Sequence, residues 1–207
     1  PPSKSVSHRY LLCGALSGQS VINNIAFSED IKATLGCLEN LGAAEEICGD
    51  SVRIGGMSPD GGIKSNRLFC NESGSTLRFM IPICLLFGRE ITLYGTKRLL
   101  SRSLAVYKQL CESQGIKFSQ NEDSVTVCGS LSPGKYSVRG DISSQFISGL
   151  MFSLPLLKGD STIDIIGTLE SGSYLNMTVK ALADFGVRIS RTDEHTFFIK
   201  GNQAYKS

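Results

Sequence analysis

Four short polar runs stand ahead of apolar stretches: SKSVSHR at 3–9, NESGSTLR at 71–78, DISSQF at 141–146 and ESGSY at 170–174. Each reads as a helix start. A helix start leaves backbone N–H groups unpaired and carries the positive end of the helix dipole. Ser and Thr hydroxyls add donors there, and Gly lets a ligand approach the backbone. The chemistry that suits such an end is the holding of phosphate or carboxylate. Lys4, Arg9, Arg78 and Arg102 stand on or near these starts, where a fixed cation strengthens an anion site. Taken singly, ordinary capping is the better account of each start, and a solvated surface charge of each cation. Repetition favours the anion reading, because related units can aim their starts at one point.

The elements behind these starts do repeat. In SGSYLNMTVKALADFGVRIS, residues 171–190, Leu175, Val179, Leu182 and Phe185 form one helical face. Gly186 then stops the helix, and Val187 and Ile189 begin a strand. The same helix, Gly, strand, polar turn, strand, Gly order runs from Asp30, with Ile31, Leu35, Leu38 and Leu41 as its apolar face, and again from Leu104. In the middle copy only Leu104 and Cys111 keep those offsets, and Tyr107 comes one place early. The helix-ending glycines are Gly42, Gly115 and Gly186. A second series, Gly18, Gly88 and Gly159, follows the upstream helices. Both recur about every 70 residues, which argues for three copies of one unit. Strand-like RLFC near 67–70 and YSVRG at 136–140 precede the second and third copies, and nothing equivalent precedes the first. The unit is therefore β-α-β-α-β-β, an α/β pattern (α+β by some schemes), with its first strand missing from copy one. Residues 1–207 are expected to pack as one domain with internal repeats at about 1–66, 67–135 and 136–207. GGMSPDGGIKSN and GSLSPGK are the joints, and Pro82 and Pro155 should kink or end their helices.

Composition narrows the function classes. The chain has 207 residues, 41% hydrophobic, so a sizeable core is expected. Its net charge of +2 carries no basic stripe of the kind a dedicated nucleic-acid binder shows. FMIPICLLF is too short to span a bilayer and holds Pro82. The seven cysteines contain no C-x-x-C pair, and the histidines are His8 and His195. Reduced thiols in a cytosolic protein account for this better than a zinc site or a disulfide scaffold. No signal peptide is visible, so NES at Asn71 and NMT at Asn176 read as chance matches to the glycosylation sequon. The opening PPSKS suggests a piece of something longer. GSLSPGKY at 129–136 misses the P-loop pattern, with Tyr136 where Ser or Thr is needed and a strand following. His195 falls in a hairpin turn. Glu29 and Asp30 read as dipole partners of a helix start rather than catalytic acids.

SKSVSHR, NESGSTLRF, GDISSQFISGL and ESGSYLNMTVKAL, in that order and spacing, resemble the 5-enolpyruvylshikimate-3-phosphate synthase family from Ser3 to about the chain end. The resemblance implies two lobes, each of three β-α-β-α-β-β units about a pseudo-threefold axis, of which this chain is one. It implies transfer of the enolpyruvyl group from phosphoenolpyruvate to the 5-hydroxyl of shikimate 3-phosphate, with no metal or organic cofactor. By the matching motifs, Lys4 lies between the substrates, and Ser5 with Arg9 holds shikimate 3-phosphate. Ser143, Ser144 and Ser171 take its phosphate. Gln145 reaches both ligands, and Tyr174 is an aromatic of the same pocket. Gly74 and Arg102 serve phosphoenolpyruvate. The main acid–base carboxylates would lie in the other lobe, so no catalytic residue is assigned to this chain, which alone should be inactive. The implied partners are the two anionic substrates and a C-terminal lobe, in a cytoplasmic monomer with no nucleic-acid or membrane partner. His8 takes a place often held by Asn, Pro2 one often held by Gly, and Glu72 one held by Asn in many members. Alternatives are the UDP-N-acetylglucosamine enolpyruvyl transferase, against which SKSVSHR and SSQF argue, the RNA 3′-phosphate cyclase, against which near-neutral charge argues, and a non-catalytic anion-binding module.

Overall fold

A computed structural model describes residues 2–168 and 172–207. The first unit contains α1 (Lys4–Leu16), β1 (Ser20–Ile22), α2 (Glu29–Asn40), β2 (Ala44–Cys48) and β3 (Ser51–Gly55). The second contains β4 (Arg67–Phe69), α3 (Gly74–Cys84), β5 (Ile91–Tyr94), α4 (Lys97–Leu100), α5 (Ala105–Ser113), β6 (Lys117–Gln120) and β7 (Ser124–Cys128). The third contains β8 (Lys135–Arg139), α6 (Gln145–Ser153), β9 (Ser161–Ile166), α7 (Gly172–Asp184), β10 (Ile189–Arg191) and β11 (Thr196–Ile199).

Each unit builds one sheet. The second has the order β4-β5-β7-β6 and the third β8-β9-β11-β10, each with a parallel first pair and antiparallel remainder. The first unit has β1-β3-β2, all antiparallel, with no strand parallel to β1 among the described residues. The second and third units thus show the strand–helix–strand–helix–strand–strand order that the sequence pattern predicts, and the described residues of the first run from α1 to β3.

The downstream helices end in one way. Gly42, Gly115 and Gly186 have φ of +102°, +68° and +75°. Just beyond each, the N–H of Ala43, Ile116 and Val187 donates to the carbonyl of Leu38, Cys111 and Leu182 at 3.0, 2.8 and 2.9 Å. That is the six-to-one bond of a left-handed helix terminus, with a buried apolar residue behind the glycine. In the upstream series only Gly88 is left-handed, at +63°; α1 stops at Leu16 before reaching Gly18.

Both proline expectations hold. α3 ends two residues past Pro82, and α6 gives way at Ser153 to a 3-10 turn containing Pro155. The middle unit departs from the pattern. It inserts the one-turn α4, and α5 begins only at Ala105, so Leu104 becomes its N-cap residue.

α3 and α6 are apolar on nearly every side, which suits helices buried all round. They pack on one another, with Phe79 and Phe152 edge to face at 5.4 Å. α1 packs on α2 and α7, α2 on α3, and α6 on α7, which closes a ring of five helices with the sheets outside. One hydrophobic cluster runs through all three units. All seven cysteines are free, with Cys13, Cys37, Cys70, Cys84 and Cys111 buried. No described helix is long and apolar enough to cross a membrane.

Candidate functional site

The helix starts of α1, α2, α3 and α6 meet at one end of the ring. On α3, Ser73 caps the helix by accepting the Thr76 N–H at 3.2 Å, which leaves Gly74 as the first helical residue. Gly74 is not in a left-handed conformation; its lack of a side chain matters for space. A Cβ there would lie 3.0 Å from Arg102 Nη1, 3.3 Å from Arg78 Nη1 and 3.9 Å from Gln145 Oε1. Gln145, the first residue of α6, accepts from Arg78 Nη1 at 2.6 Å and donates through Nε2 to Ser75 Oγ at 2.8 Å. Gly74, Arg102 and Gln145 are therefore brought together, with Arg78 and Ser75 added. Arg78 stands out in the sequence as a cation near a helix start, but its grip on Gln145 is not readable there. Ser75 carries no sequence signal beyond its place in the polar run.

Neither Arg78 nor Arg102 pairs with a carboxylate among the described residues. Burial depresses the Arg78 pKa, and the neighbouring Arg102 charge depresses it further. Two guanidiniums beside a helix start make a strongly positive face that an anion neutralises.

Lys4 opens α1 and pairs with Asp30 at the start of α2, Nζ to Oδ2 2.7 Å. Asp30 thus does more than answer its own helix dipole. Glu29, its neighbour, pairs with Lys32 at 2.8 Å. Arg9 is buried, not a free surface cation. Its Nε donates to Thr178 Oγ1 at 2.8 Å, Nη1 to the Ser5 carbonyl at 2.6 Å and Nη2 to the Tyr174 carbonyl at 3.3 Å. The Phe79 and Tyr174 rings lie 5.3 and 5.9 Å from its Cζ. Burial lowers its pKa to about 10, so it stays charged at neutral pH. Arg9 thereby ties α1 to α7 and orients the half-exposed Tyr174 ring and the partly buried Ser5.

At the start of α6, Ser144 is the N-cap residue without a side-chain cap bond and is buried, while Ser143 Oγ accepts the Gln145 N–H at 3.4 Å. Ser144 therefore keeps its hydroxyl free of the helix. Ser171 lies outside the described residues. His195 is exposed in the turn before β11, and Glu72, next to the α3 cap, pairs with Arg98 at 3.1 Å. Among the described residues no three His, Cys, Asp or Glu side chains stand together as a metal site would require.

Comparison with known proteins agrees in family and in fold. The family model described as EPSP synthase (3-phosphoshikimate 1-carboxyvinyltransferase) matches residues 1–207. A 3-phosphoshikimate 1-carboxyvinyltransferase of Clostridium kluyveri is 47% identical over 209 residues, covering 100% of this chain and 49% of the relative. One from Clostridium perfringens strain SM101 is 46% identical over the same length, with the same coverage. Two structures of EPSP synthase from Acinetobacter baumannii superpose with TM-scores of 0.83 at 20% and 21% identity, covering 100% of this chain and 47% and 48% of theirs. The chain spans about half the length of the curated relatives it matches.

Proposed function

The chain belongs to the EPSP synthase family, and from that premise we propose that it supplies one side of the site where enolpyruvyl passes from phosphoenolpyruvate to shikimate 3-phosphate. In that reaction the 5-hydroxyl gives up its proton as its oxygen adds to C2 of phosphoenolpyruvate, and C3 gains a proton to become a methyl group. The tetrahedral adduct then loses a proton from C3 and phosphate from C2, restoring the double bond. Both substrates are multiply anionic, so the demand on the protein is a preorganised set of donors and cations. The observation that carries the proposal is the pair Arg78 and Arg102, without a carboxylate partner among the described residues, over the Gly74 helix start.

Gly74 and Arg102, with Arg78 behind them, would hold phosphoenolpyruvate. Ser143, Ser144, Ser171 and Tyr174 would hold shikimate 3-phosphate, with Ser5 and Arg9 at its carboxylate. Lys4 and Gln145 would stand between the two ligands. None of these is a carboxylate, and Asp30 is engaged with Lys4. The acid–base groups are therefore assigned to the second lobe that the family resemblance implies, and this chain alone binds without turnover. The setting is that of a cytoplasmic monomer.

Titration of shikimate 3-phosphate into the 207-residue chain, followed by backbone amide chemical shifts, tests the surface. Shifts are expected at Ser143, Ser144 and Tyr174, with shikimate as a silent control, and no phosphate should appear when phosphoenolpyruvate is added. Shifts confined to another face, or turnover at an ordinary enzymatic rate, would refute the assignment. In the two-lobed enzyme, Lys4→Ala and Arg102→Ala should each raise the KM for phosphoenolpyruvate about tenfold, the loss of a charged hydrogen bond at a partly solvated site. Wild-type steady-state kinetics in either variant would count against that half of the pocket.

A further inference from the structure

Behind the positive face runs a chain of buried polar side chains. His8 Nδ1 lies 2.8 Å from Thr34 Oγ1, and Thr34 Oγ1 lies 2.8 Å from Thr76 Oγ1. Thr76 Oγ1 lies 2.7 Å from Ser73 Oγ. The four residues come from α1, α2, α3 and the α3 cap, and each is 1% exposed. The hydroxyls of Thr34 and Thr76 both lie 3.3 Å from the Asp30 carbonyl oxygen. The chain therefore has the residue that holds Lys4 at its middle and the residue next to Gly74 at its end.

His8 must be neutral for this arrangement. Its Nε2 is buried with no partner among the described residues, and the Phe79 ring stands edge to face with the imidazole at 6.4 Å. An imidazolium would leave a second N–H without an acceptor. Burial accordingly lowers its pKa to about 4, against the pull of Asp30 and with the push of Lys4 and Arg9.

We propose that neutral His8 is a positioning residue: acting through Thr34, Thr76 and Ser73, it fixes the start of α2, and with it Asp30 and Lys4, against the Gly74 start of α3. A buried chain in which the Thr34 and Thr76 hydroxyls each bond across to another helix, and Ser73 ends it at the α3 cap, is stiff, because losing one member orphans the next. The proposal deepens the assignment of Lys4 and Gly74 to phosphoenolpyruvate and rests on it for its kinetic consequence.

Thr34→Val keeps shape and removes the central hydroxyl; His8→Leu removes the end of the chain, and His8→Asn returns a shorter polar group. Amide hydrogen exchange in the 207-residue chain is the first readout. Thr34→Val should speed exchange at Thr76 and Leu77 about tenfold while Val127 and Ile163, in the distant sheets, keep their rates. In the two-lobed enzyme it should raise the KM for phosphoenolpyruvate about tenfold with kcat within about twofold. His8→Leu should do the same, with partial rescue in His8→Asn. Acceleration spread evenly over the molecule, or a local change with unaltered KM, overturns the proposal. A parent enzyme that transfers no enolpyruvyl group sinks the functional assignment alone; the exchange pattern then decides whether the chain sets the helix starts.

Discussion

Gly149→Ala is expected to lower the unfolding free energy by about 3 kcal/mol, the upper range for overpacking a helix crossing. A Cβ at Gly149 would sit 2.7 Å from the Arg78 carbonyl oxygen and 3.2 Å from Pro82 Cγ, and closer still to the Tyr107 hydroxyl. Backbone and a proline ring cannot move aside as a flexible side chain would. The crowding originates in the sequence of α3. Pro82 has no N–H, so the Arg78 carbonyl four residues earlier loses its helical donor. The Tyr107 hydroxyl from α5 takes that place, donating to the Arg78 carbonyl at 2.7 Å and lying 3.2 Å from the Phe146 carbonyl. Only a residue without a Cβ leaves room for a phenol between α3 and α6. Since α3 carries Arg78 and α6 carries Gln145, prying them apart also loosens the 2.6 Å contact at the site.

Urea denaturation measures the cost as a lower midpoint at unchanged slope. Tyr107→Phe alone should lose about 1–2 kcal/mol, because it leaves the Arg78 carbonyl without its donor. The double variant should cost less than the two losses added, since the nearest obstacle to the new methyl is the hydroxyl that Tyr107→Phe removes. A Gly149→Ala cost under about 1 kcal/mol, or strict additivity, would contradict this account of the crossing.

What the sequence made legible was local or repeated. Gly42, Gly115 and Gly186 announced three helix ends because a left-handed terminus leaves a residue-type signature, and all three show the same closing bond. The strand–helix–strand–helix–strand–strand sequence of the later units followed from the apolar runs around those glycines, but the order of those strands within each sheet did not. Gly74 and Gln145 could be singled out through motif resemblance, and the structure places them within reach of one another. Contacts between distant elements were not legible. Periodicity reports that Thr34 and Thr76 lie in helices, but not that their hydroxyls meet across 42 residues of chain. Lys4 stands out as a cation at one helix start and Asp30 as a dipole partner at another, and only the fold puts them 2.7 Å apart. Nor does the sequence show that the Arg9 guanidinium bonds Thr178 Oγ1 and the Ser5 and Tyr174 carbonyls, which fixes its position within the protein. α4 was invisible because one turn is shorter than the window over which helical periodicity can be recognised.

The buried imidazole also predicts how the fold responds to acid. The folded pKa of His8, about 4, lies below its ordinary value of 6.5. Between those values the unfolded chain holds the proton and the folded chain does not. Stability therefore falls as pH falls through that window, by about 2 kcal/mol between pH 7.5 and pH 5 from this residue. The thiols, tyrosines and arginines shifted by burial titrate above the window. Asp141, Asp184 and Asp193 have pKa values held below the ordinary carboxylate range, chiefly by hydrogen bonds, so their losses come at lower pH. Glu45 acts in the opposite sense: burial raises its pKa, so the fold gains from it as pH falls toward the carboxylate range. Glu45 is unchanged in His8→Asn, which makes the comparison of the two proteins specific to the imidazole. Urea unfolding at pH 7.5, 6.5, 5.5 and 5 should show a steep loss in the parent and a shallower one in His8→Asn. Parallel slopes in the two would mean that His8 gains its proton as readily in the folded chain as in the unfolded one, and that its orphaned Nε2 is not sealed from water.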